Sequence, residues 1–118
     1  MKLAQMAQLL EAEVICNDGD MERDIPIAAA SDMMSDVLVS TDQNRVLITG
    51  LCTVHTVLTA QMLDLKAVIF ARGKMPTPEM IEIASQNGIT LMRTERTMYV
   101  VCGELYSNGL KGLRRIHD

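Results

Sequence analysis

The sequence predicts a single α/β domain with a mostly parallel sheet and flanking helices, assembled from βαβ units. Short apolar runs alternate with segments of helical periodicity, each about ten residues long. The run Ala67–Ala71 is apolar at every position, which is typical of a parallel strand buried on both faces. A length of 118 residues, with 48% apolar and 22% charged residues, fits one globular domain. We assign residues 1–110 to this domain and residues 111–118 to a short C-terminal tail.

The first half of the chain is predicted to form a helix, two strands and a second helix. Residues 2–11 repeat apolar side chains at helical spacing, and Glu13–Cys16 follows as a short strand. Asn17–Asp20 is a turn signal, and Ile25–Ala30 is a short β-like run with Pro26 near its start or on an edge. The next helix follows Ser31-Asp32 with its apolar stripe at Met33, Met34, Val37 and Leu38, and residues 41–44 form a polar loop.

The second half is more regular, with three strands alternating with three helices. Thr77-Pro78-Glu79 starts a helix, because a hydroxyl cap, a proline in the first turn and an acid near the positive dipole end all favour an N-terminus. Asn87-Gly88 ends that helix. The predicted strands are Arg45–Ile48, Ala67–Ala71 and Ile89–Met92. The helix after the first strand has an apolar stripe at Val54, Val57, Leu58 and Met62. The last helix runs from a cap at Thr94 or Thr97 to Tyr106.

Charge and composition narrow the classes of function. The net charge is −4 and aromatic residues make up only 3%, whereas a nucleic-acid reader usually has a basic face and stacking aromatics. We therefore expect no nucleic-acid partner.

No apolar run is long enough to cross a membrane, and the N-terminal segment lacks a secretory signal core. Three widely separated cysteines argue against a disulfide framework, so we expect a cytoplasmic protein.

Methionine is abundant, with ten residues in the chain. Helical periodicity places Met33, Met34, Met62, Met80 and Met98 on inferred buried stripes, so filling of an irregular core is favoured over an adaptable partner-binding face. If such a face exists, the Met33-Met34 doublet is where we expect it.

Three turns follow the predicted strands, at Thr49-Gly50, Arg72-Gly73 and Thr94. The carboxyl ends of parallel strands meet at one edge of a sheet, where ligands bind in open α/β folds. One interpretation is an anion pocket, in which the glycines let the backbone approach and Arg72 pairs with a phosphate or carboxylate. The other is that the glycines only form turns and Arg72 is a solvated charge, and the spacing alone favours this second interpretation.

Ser31-Asp32 is a further polar pair that follows an apolar run. It could contact a ligand or hold a neighbouring loop, but capping of the next helix is the favoured interpretation.

The sequence offers no complete catalytic or metal centre. Cys52 and His55 share a helix face, yet a zinc site would need two more ligands, and a catalytic thiol would need a base. The Gly73-Lys74 pair lacks the other residues of a phosphate-binding loop. We predict no cofactor, no metal and no catalytic residue.

Three stretches resemble the DRTGG domain family. They are AASDMMSDVL (29–38), VLITGL (46–51) and KAVIFARG (66–73), and the segment 78–94 continues the same pattern of hydrophobic blocks and turns. The likeness covers roughly residues 1–110. Such domains lie beside nucleotide-sensing CBS pairs in regulated pyrophosphatases and at the front of some phosphotransacetylases, and they are similar to the N-terminal domain of HPr kinase/phosphorylase.

The resemblance implies a regulatory module that forms a homodimer and senses a small anionic ligand such as an adenine nucleotide. Where the family has an Asp-Arg pair, this chain has Thr49-Gly50. Where the family has Thr-Gly-Gly, this chain has Ala71, Arg72 and Gly73. Only Gly73 carries over directly, while Arg72 restores positive charge at the same edge. The expected ligand-binding residues are Ser31, Asp32, Thr49, Gly50, Thr53, Arg72, Gly73 and Thr94.

Two alternatives stay open. The first is a ligand-free adaptor that binds an enzyme or signalling partner. The second is an enzyme with Cys52 or Ser31 as nucleophile, which ranks last because neither has an evident base.

Overall fold

The computed structural model describes residues 1–39 and 44–112. Its helices are α1 (Leu3–Leu10), α2 (Met34–Val39), α3 (Val54–Met62), α4 (Pro78–Gln86) and α5 (Met98–Ser107). Its strands are β1 (Glu13–Cys16), β2 (Ile27–Ala30), β3 (Arg45–Thr49), β4 (Ala67–Phe70), β5 (Thr90–Arg93) and β6 (Lys111–Gly112). Within these described segments, none of the helices has the length and apolar character that a membrane span requires.

The strands form one sheet in the order β1-β5-β4-β3-β2-β6. The pairs from β5 to β6 are parallel, and only β1 is antiparallel to its neighbour β5. The predicted α/β class with a mostly parallel sheet is therefore confirmed. Because β2, β3, β4 and β5 run in the same direction, their carboxyl ends share one edge of the sheet.

Helices cover both faces of the sheet, which makes three layers. Helices α1 and α5 pack on one face, and α2, α3 and α4 pack on the other. The side chains of β4 alternate between the two cores, with Ala67 and Ile69 on the first side and Val68 and Phe70 on the second. This double burial explains why the strand is apolar at every position.

The predicted start signal of α4 acts as expected, and a backbone hydrogen bond ends α5. The Thr77 hydroxyl accepts a hydrogen bond from the Met80 amide, and Pro78 occupies the first turn of α4. At the end of α5, the Leu110 amide donates to the Leu105 carbonyl, which satisfies an otherwise unpaired helix carbonyl.

The methionines divide between core and surface. Met34 and Met80 are buried and Met98 is partly buried, as expected for core filling. Met33 and Met62 are 59% and 73% exposed, so their placement on a buried stripe was wrong. Helical spacing gives the angle around an axis, but the width of the covered stripe depends on the neighbouring elements.

The segment at the boundary between the predicted domain and the predicted tail is part of the sheet. Leu110 is buried, and Lys111 and Gly112 pair with Ile27 and Ala28 of β2. Residues 41–43 of the predicted loop and residues 113–118 lie outside the described residues.

Candidate functional site at the carboxyl edge of the sheet

The turns after β2, β3, β4 and β5 lie at one edge of the sheet and are joined by backbone hydrogen bonds. The Ser31 amide donates to Ile48, the Ala71 amide to Thr49, and the Thr94 amide to Phe70. We call residues 31–32, 49–53, 71–74 and 93–95 the rim. The three turns at Thr49-Gly50, Arg72-Gly73 and Thr94 thus meet at one edge, as the parallel sheet predicted.

The Asp32 carboxylate joins two loops of the rim. Its Oδ1 accepts hydrogen bonds from the Gly50 amide at 2.7 Å and from the Thr49 hydroxyl at 3.0 Å. Thr49 Oγ1 in turn accepts from the Leu51 amide at 3.0 Å. The preferred interpretation of Asp32 as a helix cap was therefore wrong, since the side chain holds the neighbouring loop instead.

Arg72 lies directly over Gly50. Its Nη2 donates to the Gly50 carbonyl at 3.2 Å and stands 4.0 Å from Asp32 Oδ2. A Cβ atom at position 50 would collide with the Arg72 guanidinium, so glycine is what allows this close approach. The Arg72 side chain is 51% exposed, which leaves much of the guanidinium open to solvent.

The backbone of this turn is fixed by the next loop. The Arg72 amide donates to the Arg96 carbonyl at 2.9 Å, and the Gly73 amide donates to the Thr94 carbonyl at 2.7 Å. Arg72 itself has a left-handed φ of 65°, which is uncommon for a residue with a side chain. The loop contacts therefore impose a conformation that the residue type does not favour.

Arg93 is a rim residue that was not among the predicted site residues. Its Nη2 donates to the Gly73 carbonyl at 2.8 Å and to Glu95 at 3.1 Å, and its Nη1 lies 3.5 Å from Glu13. The available signal was its position as the charged residue directly after the predicted strand Ile89–Met92, next to Thr94. Because its partners are two carboxylates and a carbonyl, Arg93 mainly braces the loop at Gly73.

The side chains of three further predicted site residues, Thr94, Ser31 and Thr53, form hydrogen bonds with backbone groups of the protein. Thr94 is buried and its hydroxyl donates to the Leu10 carbonyl, so its side chain meets the end of α1 and not Arg72. Ser31 Oγ accepts from the Met33 amide at 3.0 Å. Thr53 caps α3 by accepting from the Thr56 amide, as its place at the helix start dictates.

Cys52 lies in the loop between Thr49 and α3. Burial raises the pKa of its thiol, while the positive charges of Lys74 and Arg93 lower it in part. The thiol is therefore mainly protonated at neutral pH, and a protonated thiol is a weak nucleophile. Among residues 1–39 and 44–112, no group of three or more His, Cys, Asp and Glu side chains has the geometry to hold a metal ion.

The rim combines cations, an amide, a hydroxyl and a shared carboxylate. Arg72 and Lys74 are exposed cations, and Asp32 and Glu95 are exposed carboxylates. Such an arrangement can recognise an anion through charge-assisted hydrogen bonds to Arg72. One rim hydroxyl donates to a carboxylate, that of Thr49 to Asp32, and the same Thr49 oxygen accepts from the Leu51 amide.

No protein-family model and no curated protein sequence matches this chain. The fold is similar to that of the CBS and DRTGG domains of the regulatory region of a pyrophosphatase from Clostridium perfringens, solved in complex with the activator diadenosine tetraphosphate. The TM-score is 0.71 at 18% sequence identity. The match covers 88% of this chain and 45% of that chain, so the chain spans less than half of the protein it resembles.

This similarity concerns the fold. It agrees with the resemblance read from the sequence, because the neighbour contains a DRTGG domain and the matched segment covers most of this chain. The architecture is accordingly that of a DRTGG-like α/β domain.

Proposed function

We propose that this chain is a non-catalytic regulatory module that binds a small anionic ligand, an adenine nucleotide, at the rim. The similar fold belongs to the regulatory region of an enzyme, and domains of that region were solved with a dinucleotide activator, which supports a regulatory role. The proposal assigns no catalytic residue and no cofactor. It places the protein in the cytoplasm, where the three free cysteines, Cys16, Cys52 and Cys102, would stay reduced.

The observation that carries the ligand proposal is the position of Arg72. A guanidinium has five N–H donors, and Arg72 makes one side-chain hydrogen bond to another described residue, to the Gly50 carbonyl. The remaining donors are available to a phosphate group, and the fork of a guanidinium matches phosphate oxygens in a bidentate contact. The exposed ammonium of Lys74, two residues on, adds positive charge to the same turn.

Calorimetry tests this proposal with AMP, ADP, ATP, diadenosine tetraphosphate and pyrophosphate as probes. We expect at least one of them to bind, and Arg72→Ala to weaken that binding by about 1.5–3 kcal/mol, the value of a lost charge-assisted contact. Arg23→Ala is the matched control, because Arg23 is an exposed arginine outside the rim. Absence of heat and of a thermal shift with every probe would remove the ligand from the proposal.

Self-association is the second part of the proposal. Helix α5 exposes Tyr99 and Tyr106, which are 89% and 71% accessible and are the only two tyrosines of the chain. Exposed aromatic side chains of this kind are enriched at protein interfaces. The same face would serve a homodimer or the ligand-free adaptor that binds an enzyme or signalling partner.

Sedimentation of the double variant Tyr99→Ser/Tyr106→Ser distinguishes these two uses of α5. A wild-type dimer that becomes a monomer in the variant supports the homodimer, and Met75→Ser is the control for removal of an exposed apolar side chain elsewhere. A monomeric wild type that still binds nucleotide would contradict the homodimer. A monomer without nucleotide binding would favour the adaptor, to be tested by recovery of a defined enzyme subunit.

A further inference from the structure

The rim already holds an anion of its own. The Asp32 carboxylate accepts from the Gly50 amide at 2.7 Å and from the Thr49 hydroxyl at 3.0 Å, and its other oxygen is 4.0 Å from Arg72 Nη2. An amide, a hydroxyl and a guanidinium are the donors that a phosphate group would use. Asp32 thus occupies donors that the proposed function assigns to a bound anion.

We propose that Asp32 is an internal competitor for the anion, and that an incoming phosphate must displace its carboxylate from Thr49 and Gly50. This inference rests on the proposed function, since it concerns the same site. Asp32 was expected to contact the ligand, whereas in this inference it opposes ligand binding. Asp32 then sets the affinity of the rim, so that only ligands with enough further contacts can bind.

The exposure of Asp32 makes the exchange feasible. Its side chain is 51% exposed, so the carboxylate can rotate into water without crossing a packed region. The ion pair to Arg72 is long at 4.0 Å and is formed between two half-exposed side chains, which is a weak interaction. Displacement therefore breaks two hydrogen bonds and little else.

Charge gives the direction of the effect. A carboxylate and a phosphate that share one set of donors repel each other, because they carry like charges a few ångströms apart. Glu95, the other exposed carboxylate of the rim, already pairs with Arg93 at 3.1 Å. Asp32 is consequently the acidic group whose removal should favour an anion most.

Asp32→Asn isolates the charge from the hydrogen bonds. The asparagine carbonyl can still accept from Gly50 and Thr49, so the loop connection is kept while the negative charge is lost. Asp64→Asn is the matched control. It removes the same charge from the turn between α3 and β4, at the opposite edge of the sheet, and asparagine tolerates the left-handed φ of 55° found there.

The experiment measures binding of ATP and pyrophosphate to the full chain by calorimetry, for wild type, Asp32→Asn and Asp64→Asn. We expect Asp32→Asn to bind about tenfold more tightly than wild type, with an advantage that shrinks as salt screens the repulsion. Asp64→Asn should match wild type. Thermal unfolding checks that each variant is folded.

A second measurement uses the wild type alone and does not depend on the variant. The Gly50 amide proton is bonded to Asp32 in the free protein, so saturation with ATP should shift its NMR resonance as the partner changes from carboxylate to phosphate. A Gly50 resonance that stays in place while other rim resonances move would contradict displacement.

The outcomes separate this inference from the proposed function. Tighter binding by Asp32→Asn supports the competitor, and it does so even if the wild type binds too weakly to measure. Equal or weaker binding by a folded Asp32→Asn overturns the competitor and leaves the proposed function standing. No binding by either protein, with Asp32→Asn folded, overturns both.

Discussion

At the scale of single residues, Arg72 shows how the rim is built against local preference. Its left-handed φ of 65° is disfavoured because the Cβ atom crowds the backbone. Backbone hydrogen bonds to Arg96 and Thr94 hold the turn in this conformation. Residues kept in such conformations cluster at functional sites, where the surrounding structure over-determines them.

Two substitutions of Arg72 separate backbone strain from ligand binding. Arg72→Gly and Arg72→Ala both remove the guanidinium, but only glycine adopts a positive φ freely. We expect the glycine variant to have a free energy of unfolding roughly 0.5–1 kcal/mol higher than the alanine variant, after the greater freedom of glycine in the unfolded chain is subtracted. Urea denaturation measures the difference. Equal stabilities would mean that the strain relieved by glycine only matches the entropic cost of glycine, and nucleotide binding should be weakened equally in both.

The two perturbed thiols give a prediction about pH. Burial raises the pKa of Cys52 and of Cys102. Both should react more slowly with iodoacetamide at pH 8 in the folded protein than in urea, because less thiolate is present. Each of these thiols has a lower pKa in the unfolded chain than in the folded protein. As the pH rises from the unfolded value towards the folded one, the unfolded chain loses its thiol protons first, so the free energy of unfolding falls.

Lys74 provides a matched test of the electrostatic cause. Its charge lowers the pKa of Cys52 and does not act on Cys102. Lys74→Gln should therefore slow alkylation of Cys52 and leave Cys102 unchanged, as read by site-resolved mass spectrometry. A parallel change at both cysteines would indicate a general loosening of the structure instead.

At the scale of elements, α5 contains a glycine that its own packing does not require. A Cβ atom at Gly103 would meet no heavy atom within 4 Å. Glycine in a helix interior costs about 0.8–1 kcal/mol relative to alanine. Gly103 therefore lowers the stability of α5, the helix that exposes both tyrosines. This cost fits a surface used for contact.

Gly103→Ala should raise the free energy of unfolding by about 0.8–1 kcal/mol, measured by urea denaturation at a protein concentration where wild type is monomeric. Gly88→Ala is the opposing control. Gly88 also has open space for a Cβ atom, but its φ of 67° disfavours alanine, so this variant should lose stability. Loss of stability in both variants would mean that α5 has a local constraint at position 103.

At the scale of the whole molecule, the C-terminal segment completes the sheet. Strand β6 pairs with β2, and Leu110 joins the core formed by α1 and α5. Residues near position 110 thus connect the last helix to the edge of the sheet opposite β1. This closure covers part of β2, which would otherwise be an edge strand along its whole length.

Leu110→Ala tests the closure. Truncation of a buried leucine should cost about 2–4 kcal/mol, because apolar contacts are lost and a cavity remains. Leu58→Ala removes the same atoms from a leucine that is 42% exposed, and should cost much less. Comparable small losses in the two variants, by urea denaturation, would place Leu110 outside the cooperative core.

The sequence by itself determined the order of the elements and the parallel character of the sheet. Apolar periodicity reports whether a segment faces a core, and turn residues mark where it stops. Strand direction follows from helices between successive strands, since a crossover returns the chain to run the same way. The meeting of Thr49-Gly50 and Arg72-Gly73 at one edge is a consequence of that direction.

Only the tertiary structure decided which partners the polar side chains find. Asp32 bonds to Gly50, which is 18 residues away, and the Thr94 hydroxyl bonds to Leu10, which is 84 residues away. The same holds for the exposure of Met62 and for the pairing of β6. Local sequence patterns reflect interactions between residues that are close in the chain. The contacts named here depend instead on how separate loops and layers come together in space.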